Sequence, residues 1–409
     1  MVEKKTLLVI SQVYIPDPAA LGQYMADVVE EMVKRDWLVN VITADRGYDD
    51  PEVKYPKLEE HSGVHIRRLP FSSFGKRSIF LRMVAGFSFI LQCVVLGIFI
   101  RPLDCILVSS SPPIAPLAAM AIKKVRRVPI KYWIMDLNPD QMIMLGRISD
   151  KSLLSRLFNR LNRSILENAD NVITLDKYMA RRVNNKINVS KKLSVISPWP
   201  LENYLEDIEH LNNPFRKKYK LNDKIVIMYS GNHSLANPFD TLLHAAVKLH
   251  DYYEVMFVFI GGGIRKTEIE TFINKENPGN IISLPYQPLK EIKYSLSAAD
   301  VHVVSVGSEM VGVVHPSKAY SAMAIGRPIL FLGPAQFYNL ISIQGQQIGW
   351  QVDHDDIESM VRTIKHISAL SPKLLKKIGD CAKMNAATKF NKDSLLAKVC
   401  SLIEKENEN

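Results

Sequence analysis

Two places in this sequence combine residue types that could do chemistry. The first is Gly312-Val313-Val314-His315-Pro316-Ser317-Lys318, a small-residue loop that runs into a helix-compatible stretch from Lys318 to Ile325. The first N–H groups of a helix and the dipole behind them attract an anion, so a serine at the N-cap with a lysine beside it suits a phosphate. Lys318 adds a point charge to that attraction. Gly326 should then end the helix, and Ile329-Leu330-Phe331-Leu332 reads as a buried strand. An ordinary loop, helix and strand of an α/β sheet would look the same. The second place is Asp136, which follows the apolar run Ile130-Lys131-Tyr132-Trp133-Ile134-Met135. A carboxylate at the carboxyl end of a sheet strand can accept a proton from a hydroxyl or hold that hydroxyl by a hydrogen bond. Asp136 and Asp140 could equally cap the helix or turn that follows.

Other groups point less directly to a reaction. His315 could touch an anion or only pack within its loop. Asp353-His354-Asp355-Asp356 contains an Asp-x-Asp, but it lies between a strand-like Gly349–Val352 and a helix starting near Ile357, which favours helix capping over metal binding. Gly261-Gly262-Gly263 after a strand lacks the rest of a dinucleotide fingerprint and reads as a tight turn. Cys93, Cys105, Cys381 and Cys400 have neither metal nor redox spacing. No serine-histidine-acid order and no metal-ligand cluster stands out, so no metal site is expected.

The elements that must carry these residues alternate between strand and helix through both halves, the pattern of βαβ units with mainly parallel sheets. Leu7–Ser11 is a strand, Gln12 to Gly22 a proline-rich loop and Gln23–Arg35 a helix, followed by the strand Val39–Thr43. Gly22 would let a ligand approach the backbone, or would simply serve a turn. Further strands are expected at Asp104–Ser109 and Asn171–Leu175, the latter the last clear strand of the first half, with helices at Ala115–Lys124 and Leu153–Glu167. Proline and acidic residues between Ser197 and Pro214 mark a boundary. The alternation restarts with strands at Lys224–Ser230, Val255–Ile260, the segment from Ile281 and Val301–Val306, and with a helix at Asp240–His250. The expected organisation is therefore residues 1–200, residues 201–385 and a final amphipathic helix within 386–409.

Composition bounds the partners. The 409 residues are 47% hydrophobic and 23% charged, which is globular and not disordered. Met1–Lys5 leads into Thr6–Ile10, a run that reads as a buried strand and not as a signal peptide, and with the cysteine usage this suggests a reducing cytoplasm. Residues 1–200 hold 29 Lys and Arg against 19 Asp and Glu, whereas the remainder holds 23 of each. The whole excess of ten positive charges thus lies in the first half. Without a nucleic-acid motif, that asymmetry favours a membrane surface over nucleic acid as the anionic partner, with a generally basic soluble surface as the alternative. The apolar stretch Val84–Ile100 is flanked by Arg77, Arg82 and Arg101, with Lys123, Lys124, Arg126 and Arg127 further on. It is a little short for a membrane span, and a buried helix is expected first, an interfacial helix second.

Taken in order, the Gly22 loop, YSGNHSLANPFDTLL, FIGGGIRKTEIE, LPYQP, SAADVHVVSV and PSKAYSAMAIGRPILFLG resemble the family-4 glycosyltransferases of the GT-B fold, retaining enzymes of bacterial surface-polysaccharide biosynthesis. The resemblance covers nearly the whole chain and is strongest from Lys224 to Pro334. It implies two doubly wound Rossmann-like domains facing a cleft, with a nucleotide-sugar donor, by expectation a UDP-sugar, held by the second domain. It also implies a glycan acceptor, lipid-linked by expectation, on the first domain. Donor contacts would come from Gly22, Gly231, Asn232, Gly262, Arg265, Tyr286, Gln287, Glu309, Gly312, His315, Pro316, Ser317, Lys318 and Ser321. Asp136 and Lys318 would act at the reacting sugar and the diphosphate. No cofactor or metal is implied, and the protein would be cytoplasmic, with peripheral contact at the inner face of the membrane. The chain departs from the family pattern where two glutamates are usual, at Val313 and Ser321, and where an Arg and a Lys are usual, at Asn232 and Asn237. Glu309 is the nearest carboxylate, and Lys318, Arg265 or Arg327 would then balance the diphosphate. The rival readings are a nucleotide-sugar epimerase of the same fold and a non-catalytic nucleotide-sugar or glycan-binding protein.

Overall fold

The structure is a computed structural model that describes residues 4–47, 50, 52–72, 79–201, 205–343 and 345–405. Arg77 lies outside them. The chain gathers into two compact units.

The first unit takes the chain to Ser197, together with Gly312–Val314 and the segment from Asp393. Its eight strands are β1 (Thr6–Ile10), β2 (Leu38–Ala44), β3 (Leu58–His61), β4 (Val64–Leu69), β5 (Cys105–Ser109), β6 (Ile130–Trp133), β7 (Asn171–Thr174) and β8 (Leu193–Val195). They lie in the order β3-β4-β2-β1-β5-β6-β7-β8, parallel except for β3 against β4. β1, β5 and β6 are buried at every position, as expected of parallel strands covered on both faces. The helices are α1 (Ala20–Lys34), α2 (Ile79–Phe99), α3 (Pro116–Arg126), α4 (Asp140–Met144), α5 (Leu153–Asn168) and α6 (Lys177–Lys186).

Helix α1 begins before Gln23 and includes Gly22, which is buried and whose missing side chain lets the helix sit against the Tyr14 backbone; an added Cβ would lie 3.0 Å from it. β3, β4 and β8 extend the sheet beyond the expected strands. Helix α2 is not wholly buried: Ala85, Phe89 and Cys93 face inward, while Phe87, Leu91, Val95 and Phe99 are exposed. Among the described residues no helix is long and apolar enough to cross a membrane. Asp140 opens α4 without capping it and pairs with Lys186 at 2.5 Å.

The second unit takes Pro198–Val311 and His315–Lys392. Its six strands, β9 (Ile225–Ser230), β10 (Val255–Ile260), β11 (Ile281–Leu284), β12 (Val301–Ser305), β13 (Ile329–Leu332) and β14 (Gly349–Val352), are all parallel in the order β11-β10-β9-β12-β13-β14. The helices are α7 (Pro214–Lys218), α8 (Asp240–Lys248), α9 (Lys266–Glu276), α10 (Ile292–Ser297), α11 (Lys318–Ala324), α12 (Ala335–Ile341), α13 (Ile357–Ser368) and α14 (Pro372–Thr388), followed by α15 (Lys392–Glu404). Alternation along the strands builds two cores. Ile227, Tyr229, Phe257 and Phe259 pack with Leu242, Leu243 and Ile364, while Val226, Met228, Val258 and Ile260 pack with Phe215 and Leu221. Asp356 caps α13 by accepting from the Ser359 N–H at 2.8 Å, which is the capping role its sequence position suggests.

Helix α15 belongs to the first unit beyond its first residue. The ammonium of Lys131, buried in β6, donates to the Lys405 carbonyl at 3.0 Å and to Asn171 Oδ1 at 2.7 Å, and Arg35 pairs with Glu404 at 3.0 Å. A cation at the C-terminal end of a helix satisfies carbonyls that the helix leaves open. Burial lowers the pKa of Lys131, although Asp170 nearby opposes the shift.

In each sheet the strand order reverses at one point, between β1 and β5 and between β9 and β12. Loops at the carboxyl ends of strands there form the crevice where doubly wound folds bind ligands. His302 of β12 is buried and hydrogen-bonded to the Leu296 carbonyl at 2.9 Å, and burial pulls its pKa from 6.5 down to about 4. The neutral ring is therefore retained on folding, while the unfolded chain binds a proton below about pH 6.5. The contribution of His302 is full above that pH, and about 3 kcal/mol of it should be lost as pH drops to about 4. Urea unfolding across this range should show the loss, and His302→Gln should remove about one proton from the dependence; an unchanged slope would contradict it.

Candidate functional site

Four loops of the second unit meet at the carboxyl edge of its sheet. After β9 comes Gly231-Asn232-His233, after β10 Gly261-Gly262-Gly263, after β11 Pro285-Tyr286-Gln287, and after β12 the segment leading to α11. The first two interlock by backbone. Gly231 N–H donates to the Ile260 carbonyl at 2.9 Å, His233 N–H to the Gly262 carbonyl at 2.7 Å and Arg265 N–H to the His233 carbonyl at 3.0 Å. A Cβ on Gly261 would lie 2.1 Å from the Gly231 oxygen, and one on Gly263 would lie 2.2 Å from Asn232 Oδ1, at φ of 137° and 118°. The triple glycine is thus a tight turn, as its sequence suggests, and its tightness is what packs the two loops together. Lys266 Nζ holds the same turn, donating to the Gly261 carbonyl at 2.9 Å and to the Leu284 carbonyl at 2.6 Å.

Lys318, the first residue of α11, lies along Gly231. Its Cε would be 2.7 Å from a Cβ there, and its ammonium sits 5.5 Å from the Tyr229 ring centre. The Tyr229 hydroxyl donates to the Asn232 carbonyl at 2.8 Å. On the other side the Tyr286 ring, half exposed, rests on Gly262, where an added Cβ would be 2.9 Å from it. Gly231, Asn232, Gly262, Tyr286 and Lys318 are therefore brought together, with a cation at one end and an aromatic ring at the other.

His233 joins this group. It is fully buried against Tyr229, Phe239 and Phe259. Its Nδ1 is 3.1 Å from the Gly262 carbonyl, so Nδ1 carries the proton and Nε2 keeps a lone pair that no described residue meets. Burial, reinforced by Lys266 and Lys318, brings its pKa from 6.5 to about 4 and keeps the ring neutral. Its position directly after β9, at the strand-order reversal, is the signal by which the sequence could have revealed it.

The remaining candidates are distributed more widely. Arg265 holds Asp240 at 2.9 Å and Glu268 at 2.7 Å. Gln287 donates to the Pro285 carbonyl at 2.9 Å. Glu309 is exposed in a short turn, Ser308–Met310. His315 Nε2 is 2.6 Å from the Tyr320 hydroxyl, and Pro316 is buried. Ser317 is not the expected cap: it is already helical, with φ −59° and ψ −25°, and its side chain accepts no capping hydrogen bond. Ser321 is half-buried on α11. Gly326 does close α11, at φ 73°, with its N–H bonded to the Met323 carbonyl and that of Arg327 to the Ala322 carbonyl. Arg327 is no candidate for the diphosphate, because its guanidinium is held by Asp207 and by the Ala299 and Ser297 carbonyls. Asn237, one of the unusual asparagines, is buried and ties its loop to β12 by donating to the Ser305 carbonyl at 2.5 Å and accepting from Ser234 at 2.7 Å.

In the first unit the residues of interest also sit at the carboxyl edge. Ser110 Oγ accepts from the Met135 and Asp136 N–H groups at 3.0 and 3.3 Å, which fixes the backbone at Asp136. The next N–H, of Leu137, donates to the Val313 carbonyl at 2.9 Å, and Gly312, at φ 73°, abuts Tyr178, whose carbonyl would be 2.6 Å from an added Cβ. The loop expected to face one phosphate is thus divided, with Gly312–Val314 in the first unit and His315–Lys318 in the second.

Residues 20–199 match the glycosyl transferase 4-like domain and residues 212–384 match glycosyl transferases group 1. The chain belongs to the GT-B glycosyltransferases. It is 24% identical over 370 residues to a probable glycosyltransferase, WbjE, of Pseudomonas aeruginosa, covering 89% of this chain and 90% of that one. It is 24% identical over 343 residues to a putative colanic acid biosynthesis glycosyl transferase, WcaI, of Escherichia coli K12, covering 78% and 81%. Among solved structures, a sucrose-phosphate synthase from Thermosynechococcus elongatus superposes with a TM-score of 0.76 at 16% identity over 98% of both chains. HepE of Anabaena, in complex with UDP and glucose, superposes with a TM-score of 0.72 at 13% identity over 98% of this chain and 99% of that one.

The interlocked loops make one glycine far less replaceable than another. In this glycosyltransferase Gly261→Ala should cost about 3 kcal/mol, whereas Gly345→Ala, at φ 80° with nothing within 4 Å, should cost about 1 kcal/mol. Chemical denaturation of the two variants gives the difference; equal losses would show that the loop contact is not tight.

Proposed function

We propose that the protein transfers a sugar from a UDP-sugar to a growing, lipid-linked glycan in surface-polysaccharide biosynthesis, with retention of anomeric configuration. The observation that carries this reading is the convergence of Lys318, Gly231, His233, Gly262 and Tyr286 at the strand-order reversal of the second unit. Glycines that bare the backbone, a lysine ammonium and an aromatic ring are what a nucleoside diphosphate needs: donors for the phosphates and a flat surface for the base. The UDP bound by HepE and the colanic acid named for the Escherichia coli relative support the donor and the polysaccharide product.

On this reading Tyr286 carries the base, and Lys318 stabilises the diphosphate as it departs. The bond from the anomeric carbon to the diphosphate oxygen breaks, and a bond from the acceptor oxygen forms on the same face of the sugar. The acceptor proton passes to the departing diphosphate. Stabilising the leaving group is then the main catalytic task, one suited to a fixed cation without a metal. The neutral His233, tied to the Gly262 carbonyl, helps to hold the two loops that floor the site. Asp136 orients the reacting sugar or its acceptor. The enzyme works in the cytoplasm beside the membrane that holds its acceptor.

Lys318→Ala should weaken UDP binding roughly ten- to a hundredfold by calorimetry, the range of one charge-assisted hydrogen bond. Affinity equal to wild type would remove its phosphate role. Asp136→Asn should lower the transfer rate at least about tenfold with UDP affinity retained, and full activity would make Asp136 structural. Val313, at a position where this family usually has glutamate, is fully buried, which gives a binding protein without turnover a specific argument. Product analysis with UDP-sugar and a glycan acceptor separates that alternative from transfer, and an epimerised sugar without acceptor would identify an epimerase.

A further inference from the structure

Helix α2 is apolar on all sides, a property usually found in helices buried all round, yet only half of it is covered. Phe87 is 61% exposed, Leu91 67% and Phe99 76%, and with Val95 they form a continuous outer stripe at helical spacing. Helix α3 packs against both α2 and α5, so these three helices form one layer over the sheet of the first unit. The outer side of α5 repeats the theme with charge added: Leu153, 81% exposed, and Leu157 alternate with the exposed Arg156, Arg160 and Arg163. None of these three arginines has an acidic partner among the described residues, and the same holds for Arg101, Lys124 and Arg127. Between the end of α2 and α3 lies a shallow recess of about 640 Å³ lined by Ile98, Arg101, Pro102, Val125 and Arg126. Arg126 is anchored there by the Ile98 and Ile100 carbonyls at 2.8 and 2.6 Å.

We propose that this layer docks on an anionic bilayer, with the outer stripe of α2 among the acyl chains and the arginines of α5 and of the recess among the lipid phosphates. Exposed apolar patches of this kind mark interaction surfaces. The charge decides between occupants: a second copy of the chain would bring the same unpaired arginines face to face, whereas an anionic headgroup layer neutralises them. Stable attachment without a spanning helix needs two signals, an apolar insertion and a basic patch, and this face carries both. The inference specifies the membrane side of the function proposed above, but its geometry is independent of the sugar site.

Sedimentation of the full chain with phosphatidylcholine vesicles, alone and mixed with phosphatidylglycerol, tests it. Binding to the mixed vesicles that weakens with salt is expected. The pair Phe87→Asp with Leu91→Asp should abolish it. Arg156→Ser with Arg160→Ser should weaken binding to the mixed vesicles roughly thirtyfold. Wild-type chain that stays in the supernatant, or variants that bind as wild type does, would overturn the proposal. A dimer dissolved by Phe87→Asp with Leu91→Asp would also overturn it and assign the face to a second copy. UDP affinity measured on the same preparations keeps the outcomes apart: intact UDP binding with no vesicle binding refutes only the docking surface. Vesicle binding without UDP binding refutes only the donor site.

Discussion

The candidate site of this glycosyltransferase depends on a backbone-to-backbone contact. The carbonyl of Gly231 occupies the space where any side chain on Gly261 would be, 2.1 Å from the ideal Cβ. Because the two chains approach so closely, the loops after β9 and β10 act as one rigid floor, with Lys266 clamping the second of them from below. Lys318 can lie flat across Gly231, and Tyr286 across Gly262, only because both positions lack side chains. The constraint is steric before it is chemical: the cation and the ring are placed by what the glycines leave out.

The architecture was legible because parallel strands covered on both faces must be almost entirely apolar, and Thr6–Ile10, Val255–Ile260 and Ile329–Leu332 are. β3 and β4 were not, since Leu58-Glu59-Glu60-His61 at the sheet edge is mostly charged and Val64-His65-Ile66-Arg67 beside it alternates with charge, so that both mimic a polar loop. Lys131 was hidden for the opposite reason, a charged residue inside an apolar run whose partner, the Lys405 carbonyl, is 274 positions away in sequence. Of the candidate site, the glycines and Lys318 could be read from residue type. Arg327 misled because its charge lies near the loop in sequence, while its side chain is spent on Asp207 and two carbonyls. The sidedness of α2 could not be read at all, because a helix apolar all round carries no periodic signal of which half is covered.

Asn237 puts the sequence of the loop after β9 in physical terms. A lysine there would have to leave its charge in a buried position beside the Ser305 carbonyl, whereas the asparagine donates to that carbonyl and accepts from Ser234 at little electrostatic cost. The asparagine is a fixed tie, and the positive charge near the loop comes from Lys318 and Lys266.

The first unit is assembled from three separated pieces of chain: the stretch to Ser197, the tripeptide Gly312–Val314 and the segment from Asp393. The ribosome delivers them in that order, with nearly all of the second unit made in between. Leu137 waits for the carbonyl of Val313, and the ammonium of Lys131 waits for that of Lys405, 274 residues later. Although proteins commonly fold from the N-terminus during synthesis, the first unit here cannot be completed until the second has been made. Until Lys405 is made, the Lys131 ammonium has Asn171 as a partner but lacks the helix-end carbonyl that completes its burial.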